Sequence, residues 1–171
     1  MKNYCHLCGA RYIKGKNNPQ ECSNCGNLSF DNSIPCAEIA LFDAEGRVLI
    51  AVRGEEPNKG KYDLPGGFIN YGETVESALL REIKEELGLE SQDYETPQLC
   101  TSWTFDYPFS KDTQKTLSLA FTAKLNTNKK IIASDDVAEV EFFEVNKLDS
   151  VDFSWAGYPA LIRKAHSQLF N

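Results

Sequence analysis

The apolar and polar positions divide the chain near residue 33. Beyond it, Ala37-Glu38-Ile39-Ala40-Leu41-Phe42 and Arg47-Val48-Leu49-Ile50-Ala51-Val52 are apolar runs flanking Asp43-Ala44-Glu45-Gly46, which predicts a strand, a turn and a second strand in a hairpin. A loop punctuated by Gly and Pro covers residues 54–72. Residues 74–87 then recur at helical spacing, with Val75, Ala78, Leu79, Ile83 and Leu87 on one face, Glu73 or Thr74 at the amino end and Gly88 as a C-cap. Strand-like runs follow at 99–105, 116–125 and 139–144. Residues 158–170 read as a closing helix, with Pro159 in its first turn. Strands in this proportion, with one internal and one terminal helix, predict an α+β sandwich with a mixed sheet rather than a strictly alternating parallel one. There is no internal repeat and no low-complexity tract.

Residues 1–32 have a different texture, rich in Cys, Asn, Gly and Lys and short of core-forming side chains, so they need a staple to fold. Cys5-His6-Leu7-Cys8 and Cys22-Ser23-Asn24-Cys25, each followed by Gly, supply four thiolates in two knuckle-like turns separated by thirteen residues. That is the pattern of a zinc ribbon with a structural, closed Zn²⁺ site. A redox Cys-x-x-Cys normally opens a helix in a strand-helix-strand unit, a setting that neither pair has. His6 lies inside a knuckle and reads as a solvated ring, His166 as a surface residue of the last helix, and Cys36 and Cys100 as small buried apolar groups. The expected organisation is a zinc ribbon over 1–32 and a main domain over 33–171.

Of the 171 residues 42% are hydrophobic, enough for a real core, and the formal net charge is -7. That charge argues against nucleic acid as a partner gripped through a broad basic face, although Arg11, Lys14 and Lys16 leave a small basic spot. No apolar run approaches the length that spans a bilayer, and the start lacks the apolar stretch of a secretory signal. The expectation is a cytoplasmic protein, with cysteines used for metal rather than disulfides.

The chemistry concentrates between Gly66 and Leu89. On a helix, Glu82 and Glu86 are one turn apart on a shared face with Glu85 beside them. Like charges at this spacing destabilise a helix and raise one another's pKa unless a cation compensates. Hard oxygen ligands in this number suit Mg²⁺ or Mn²⁺, and Mg²⁺ usually completes its shell with water and substrate phosphate oxygens. Arg81 is placed to hold Glu73 or Glu85 through charge-assisted bonds. As a charge run alone, the stretch would read as the solvated face of an amphipathic helix. The loop before it changes the balance.

Gly67, five residues, Glu73, seven residues, then Arg81-Glu82-Ile83-x-Glu85-Glu86-x-Gly88-Leu89 reproduces every fixed position of the Nudix box, so the chain resembles the Nudix hydrolases. The resemblance implies a Nudix-type α/β/α sandwich and a pyrophosphohydrolase acting on phosphorus anhydrides of small nucleotides. It also implies Glu82, Glu85 and Glu86 as ligands of catalytic Mg²⁺ or Mn²⁺, with the Gly66 carbonyl as a further one, and Glu73 and Arg81 as residues that order loop and helix. Glu82, or Glu139 as an acid from a later segment, is the general base by the same resemblance; Glu139 also reads as a solvent-facing strand residue. Dimers among relatives imply a homodimer.

A zinc ribbon ahead of this domain, with Ser33-Ile34-Pro35-Cys36-Ala37, resembles the NADH pyrophosphatase and ADP-ribose pyrophosphatase group. NADH pyrophosphatases carry Ser-Gln-Pro-Trp-Pro-Phe-Pro after the box, whereas this chain has Thr101-Ser102-Trp103-Thr104-Phe105-Asp106-Tyr107-Pro108-Phe109. Trp103, Phe105 and Tyr107 are candidates to stack on a base or nicotinamide ring. Their alternation fits equally the buried face of a strand. NADH, ADP-ribose, FAD, dinucleoside polyphosphates and nucleotide sugars stay open as substrates. The rival reading is a nucleotide-sensing module whose ribbon meets a protein or nucleic acid.

Overall fold

The computed structural model describes residues 3–12, 18–109, 112–127 and 129–170. Lys14 and Lys16 of the basic spot lie outside them, and Arg11 is exposed. Two compact units divide the chain, Met1–Ser33 and Ile34–Asn171.

In the first unit, β1 (Gln20–Glu21) pairs antiparallel with β2 (Leu28–Ser29). The two cysteine turns repeat one geometry. Gly9 N–H donates to Cys5 O at 2.9 Å and Cys5 N–H to Ala10 O at 2.9 Å; Gly26 N–H donates to Cys22 O at 2.8 Å and Cys22 N–H to Asn27 O at 2.8 Å. Cys5, Cys22 and Tyr12 are buried and supply the little apolar packing that this unit has.

The second unit begins with β3 (Ile34–Phe42) and β4 (Val48–Arg53). The turn between them is fixed by Asp43, whose carboxylate accepts from Arg47 N–H at 2.8 Å and from Arg47 Nε at 2.7 Å. The expected hairpin then opens, because β3 and β4 pair only at Phe42↔Val48. Beyond that point β3 runs parallel to β8 (Asp112–Lys124) along its whole length and antiparallel to β6 (Gly66–Phe68) at Cys36–Glu38. Strand β4 instead takes β5 (Tyr62–Asp63) and β9 (Val137–Phe143). Every residue from Ala37 to Phe42 is buried, so β3 has partners for both of its edges in the sheet's interior, and a simple hairpin would have left one edge and one face uncovered. The outermost strand, β7 (Gln98–Phe109), pairs antiparallel with β8.

The sheet is mixed and covered on both faces. Ala37, Ile39 and Leu41 pack with Leu79, Ile83 and Leu87 of helix α1 (Val75–Leu87), while Ala40, Phe42 and Ile50 pack with Leu161, Ile162 and Ala165 of helix α2 (Tyr158–Phe170). A short 3₁₀ turn (Val145–Ser150) precedes α2. In α1 the Thr74 hydroxyl accepts from Ser77 N–H, the Ser77 side chain reciprocates at the Thr74 backbone, and Gly88 closes the helix in the left-handed conformation. Burying Leu79, Ile83 and Leu87 stabilises by roughly 1.5–3 kcal/mol each and fixes which face of α1 turns inward. The same inward turn of the helix buries Glu82 and Glu86. His166 departs from expectation: it is half-buried, stacked on Phe170 at 4.6 Å and edge-on to Phe42. Among the described residues no helix is long and apolar enough to cross a membrane.

Candidate active site

The fork between β3 and β4 leaves a cavity of about 400 Å³ at its open end. One side is the acidic face of α1 with the loop before it: Gly66, Gly67, Arg81, Glu82, Glu85 and Glu86 line it. Backbone and carboxylates approach closely here. Gly66 N–H donates to Glu86 Oε2 at 2.9 Å. A Cβ on Gly66 would collide with the backbone of Ala37 and Glu38, so that position accepts no side chain, and one on Gly67 would displace the Glu82 carboxylate from its place.

Arg81 organises this side. Its Nε and Nη2 donate to the two oxygens of Glu73 at 2.8 and 3.0 Å, Nη1 to Glu82 Oε1 at 2.7 Å and Glu85 Oε2 at 3.0 Å, and Nη2 also to Phe68 O at 3.2 Å. These five bonds use all five guanidinium donors. The bidentate pair with Arg81 holds Glu73 down to about 2, well below the ordinary carboxylate range. Glu82 and Glu86 go the other way. Burial raises both, and Asp136 and Glu82 push Glu86 up further.

Asp136 comes from the segment before β9, which is tied to α1: Ser134 N–H donates to Glu86 O at 2.9 Å and the Ser134 hydroxyl to Glu85 O. Asp135 and Asp136 both line the cavity. Glu139 is exposed on β9, paired with Val52, and is not among the lining residues. Four carboxylates, Glu82, Glu85, Glu86 and Asp136, thus line one cavity, and of these Arg81 pairs only with Glu82 and Glu85. An oxygen donor set of this excess negative charge fits a divalent cation.

The other side of the cavity is aromatic with a buried polar floor. Phe105, Tyr107, Phe68 and Trp155 line it; Phe105 and Trp155 lie 4.6 Å apart between ring centroids, and Tyr107 and Trp155 5.8 Å. Trp103 does not line the cavity. It lies behind Phe105 at 4.9 Å, and its indole N–H donates to Glu38 Oε1 at 2.7 Å. Tyr158 donates its hydroxyl to Glu38 Oε2 at 3.1 Å, and Asp63 pairs with Arg53 Nη1 at 2.8 Å. Arg53 Nε is anchored on Pro57 O at 2.6 Å. Burial pushes Glu38 up to about 7 and raises Asp63 and Tyr158.

Sequence reasoning missed Glu38, Arg53, Asp63, Asp136, Trp155 and Tyr158. One signal was available for Glu38, an acid inside an otherwise apolar strand run, because such a run is buried on both faces and tolerates an acid only for a reason. The others are brought in by strand pairings that carry no local mark.

In the first unit the Sγ atoms of Cys5, Cys8, Cys22 and Cys25 all lie within 4.8 Å of one another, with Cys5–Cys25 and Cys8–Cys22 each at 3.6 Å. A tetrahedron with Zn–S bonds of about 2.3 Å has edges of about 3.8 Å, so the four thiols fit Zn²⁺.

Residues 34–164 match the NUDIX domain. The chain belongs to the NUDIX family. It is similar to an ADP-ribose pyrophosphatase of Methanocaldococcus jannaschii, 34% identical over 114 residues that cover 66% of this chain and 63% of the relative. The chain is also similar to the NAD-capped RNA hydrolase NudC of Vibrio parahaemolyticus, 24% identical over 169 residues, 98% of this chain and 61% of the relative. It thus spans about three fifths of the length of these two relatives. In fold it resembles the NUDIX domain of Shewanella oneidensis NrtR, solved in complex with ADP ribose, with a TM-score of 0.67 at 19% identity over 82% of this chain and 90% of that one.

Proposed function

We propose that this NUDIX domain is a pyrophosphohydrolase that uses Mg²⁺ or Mn²⁺ to cleave the diphosphate linkage of a small nucleotide joined to another group, releasing two monophosphates. The observation that carries the reading is the buried pair Glu82 and Glu86, with Glu85 and Asp136, on one wall of a cavity whose other wall is aromatic. Glu82, Glu85, Glu86 and the Gly66 carbonyl would hold the metal, which supplies Lewis-acid charge at the phosphorus and makes water acidic enough to attack.

Arg81 ties Glu82 and Glu85 to Glu73 and to the Phe68 carbonyl of the loop. Arg53 has two donors engaged with Asp63 and Pro57, and its Nη2 has no partner among the described residues, so it is set to take a phosphate oxygen of the substrate. Asp136 forms no ion pair among the described residues, whereas Glu82 already accepts from Arg81; Asp136 is the better placed general base. The aromatic wall of Phe105, Tyr107 and Trp155 seats a flat ring. A net charge of -7 favours a small nucleotide over a long nucleic acid, and the four thiols of the first unit are assigned a structural Zn²⁺.

The test is a phosphatase-coupled phosphate-release screen over NADH, NAD, ADP-ribose, FAD, dinucleoside polyphosphates, nucleotide sugars and nucleoside triphosphates with Mg²⁺ or Mn²⁺. A preferred diphosphate-linked substrate, cleaved to two monophosphates, supports the reading. Silence across the panel by folded protein would favour a nucleotide-holding module without turnover.

A further inference from the structure

Glu38 is not required by the hydrolytic machinery. It stands on β3 with 5% of its surface exposed, on the face that carries α2, at the point where the cavity begins. Its oxygens accept from Trp103 Nε1–H and Tyr158 O–H, and the buried Ser118 hydroxyl beside it is a third donor; all three are neutral. Neither guanidinium in the cavity serves it: Arg53 is paired with Asp63, and Arg81 with Glu73, Glu82 and Glu85. A carboxylate has about four lone-pair positions, so acceptor capacity remains after these three donors. A buried acid without a cation is less stable than an apolar side chain of similar volume, so Glu38 has no structural justification in a strand where Ala37 precedes it and Ile39, Ala40, Leu41 and Phe42 follow it. What it offers is acceptor capacity at the inner end of a cavity walled by Phe105, Tyr107 and Trp155.

We propose that Glu38 is a specificity residue for the substrate's ring: it accepts a hydrogen bond from an amino or carboxamide N–H of a flat heterocycle resting on the aromatic wall, so that rings lacking this donor are rejected. The inference rests on the proposed function only in taking a nucleotide as the ligand. A buried acceptor left unpaired is what gives such discrimination its size, since the acceptor loses its water and gains nothing in return.

The test measures binding rather than turnover. The chain's two tryptophans, Trp103 and Trp155, bond Glu38 and line the cavity respectively, so their fluorescence reports on ligands there. Wild type and Glu38→Gln are titrated, with Mg²⁺ present, with two matched pairs: AMP against purine riboside 5′-monophosphate, which lacks only the amino group, and nicotinamide mononucleotide against nicotinic acid mononucleotide, whose carboxamide is a carboxylate. In wild type one pair should show a preference of about tenfold or more for the N–H member, identifying the ring that is held, and Glu38→Gln should bring that ratio near one. No preference in either pair, or a preference that Glu38→Gln leaves unchanged, overturns the proposal. The wild-type comparison decides the negative case without any variant. Preference without hydrolysis would leave this inference standing and remove the hydrolase reading; hydrolysis without preference would do the reverse.

Discussion

Glu38→Gln should make the protein more stable at alkaline pH, and by a calculable amount. Burial pushes Glu38 up to about 7 in the folded chain, from an ordinary value of 4.5. A group whose pKa is higher folded than unfolded binds more protons in the native state between those two values. Stability therefore falls as pH rises through the window from about 4.5 to about 7 and stays low above it. At about 1.36 kcal/mol per unit, the ceiling of this cost is about 3 kcal/mol above pH 7. Glutamine has the same shape: its amide oxygen still accepts from Trp103, and its amide nitrogen donates to Tyr158 Oη, whose own proton turns to the neighbouring Asp63. The network stays satisfied while the uncompensated charge is gone. The variant should gain about 1–3 kcal/mol at pH 8, a rise of roughly 3–10 °C in Tm for a domain of this size, and close to nothing at pH 4. Thermal unfolding by circular dichroism across this pH range reads the difference. Parallel stability curves for wild type and variant, or a variant destabilised equally at every pH, would refute the reasoning.

Other consequences follow from the same contacts. Arg81→Lys replaces a five-donor fork by three donors of different geometry, and should cut kcat/KM at least about 30-fold, roughly 2 kcal/mol, while raising the Mg²⁺ concentration needed for half-maximal rate; unchanged metal dependence would contradict the assigned role of Arg81. Gly157→Ala places a Cβ 2.7 Å from the Trp103 ring and should destabilise by about 1–3 kcal/mol by denaturant melt, with a shifted tryptophan emission as the indole moves from Glu38; a neutral effect would contradict the packing. Purified protein should carry one zinc per chain by elemental analysis, and Cys22→Ser should lose it; zinc retained by that variant would contradict the four-thiolate site.

Much of the architecture was legible because it is encoded locally. The helix from Val75 to Leu87 announces itself by its apolar spacing, its Thr74 cap and Gly88, and the acidic face carried by that spacing brings Glu82, Glu85 and Glu86 to one side. The alternation of β7 was equally visible, but it left two readings open. The structure assigns a different task to each aromatic, with Phe105 and Tyr107 on the cavity and Trp103 behind them bonding Glu38. Non-local pairing was not legible. The hairpin expected of β3 and β4 opens after one residue pair because both strands have other partners far along the chain, and that opening is what makes the cavity. For the same reason Asp136 rather than Glu139 reaches α1, through bonds from Ser134 that no spacing rule foretells. Arg53, Asp63 and Tyr158 meet through pairings and packing separated by as many as 105 residues, so their joint floor could emerge only in three dimensions.

In the proposed function the buried carboxylates of α1 hold a divalent cation for cleavage of a diphosphate linkage. The most direct measurement is the Mn²⁺- and Mg²⁺-dependent hydrolysis rate of the preferred substrate by wild type and by Glu86→Gln, with Mn²⁺ binding followed on the same samples by electron paramagnetic resonance. Wild type should bind Mn²⁺ and turn over, with rates abolished by chelator. Glu86→Gln should fold, bind Mn²⁺ more weakly and lose at least about 100-fold in rate, roughly 2.7 kcal/mol. Hydrolysis and metal affinity left intact in folded Glu86→Gln would contradict the account.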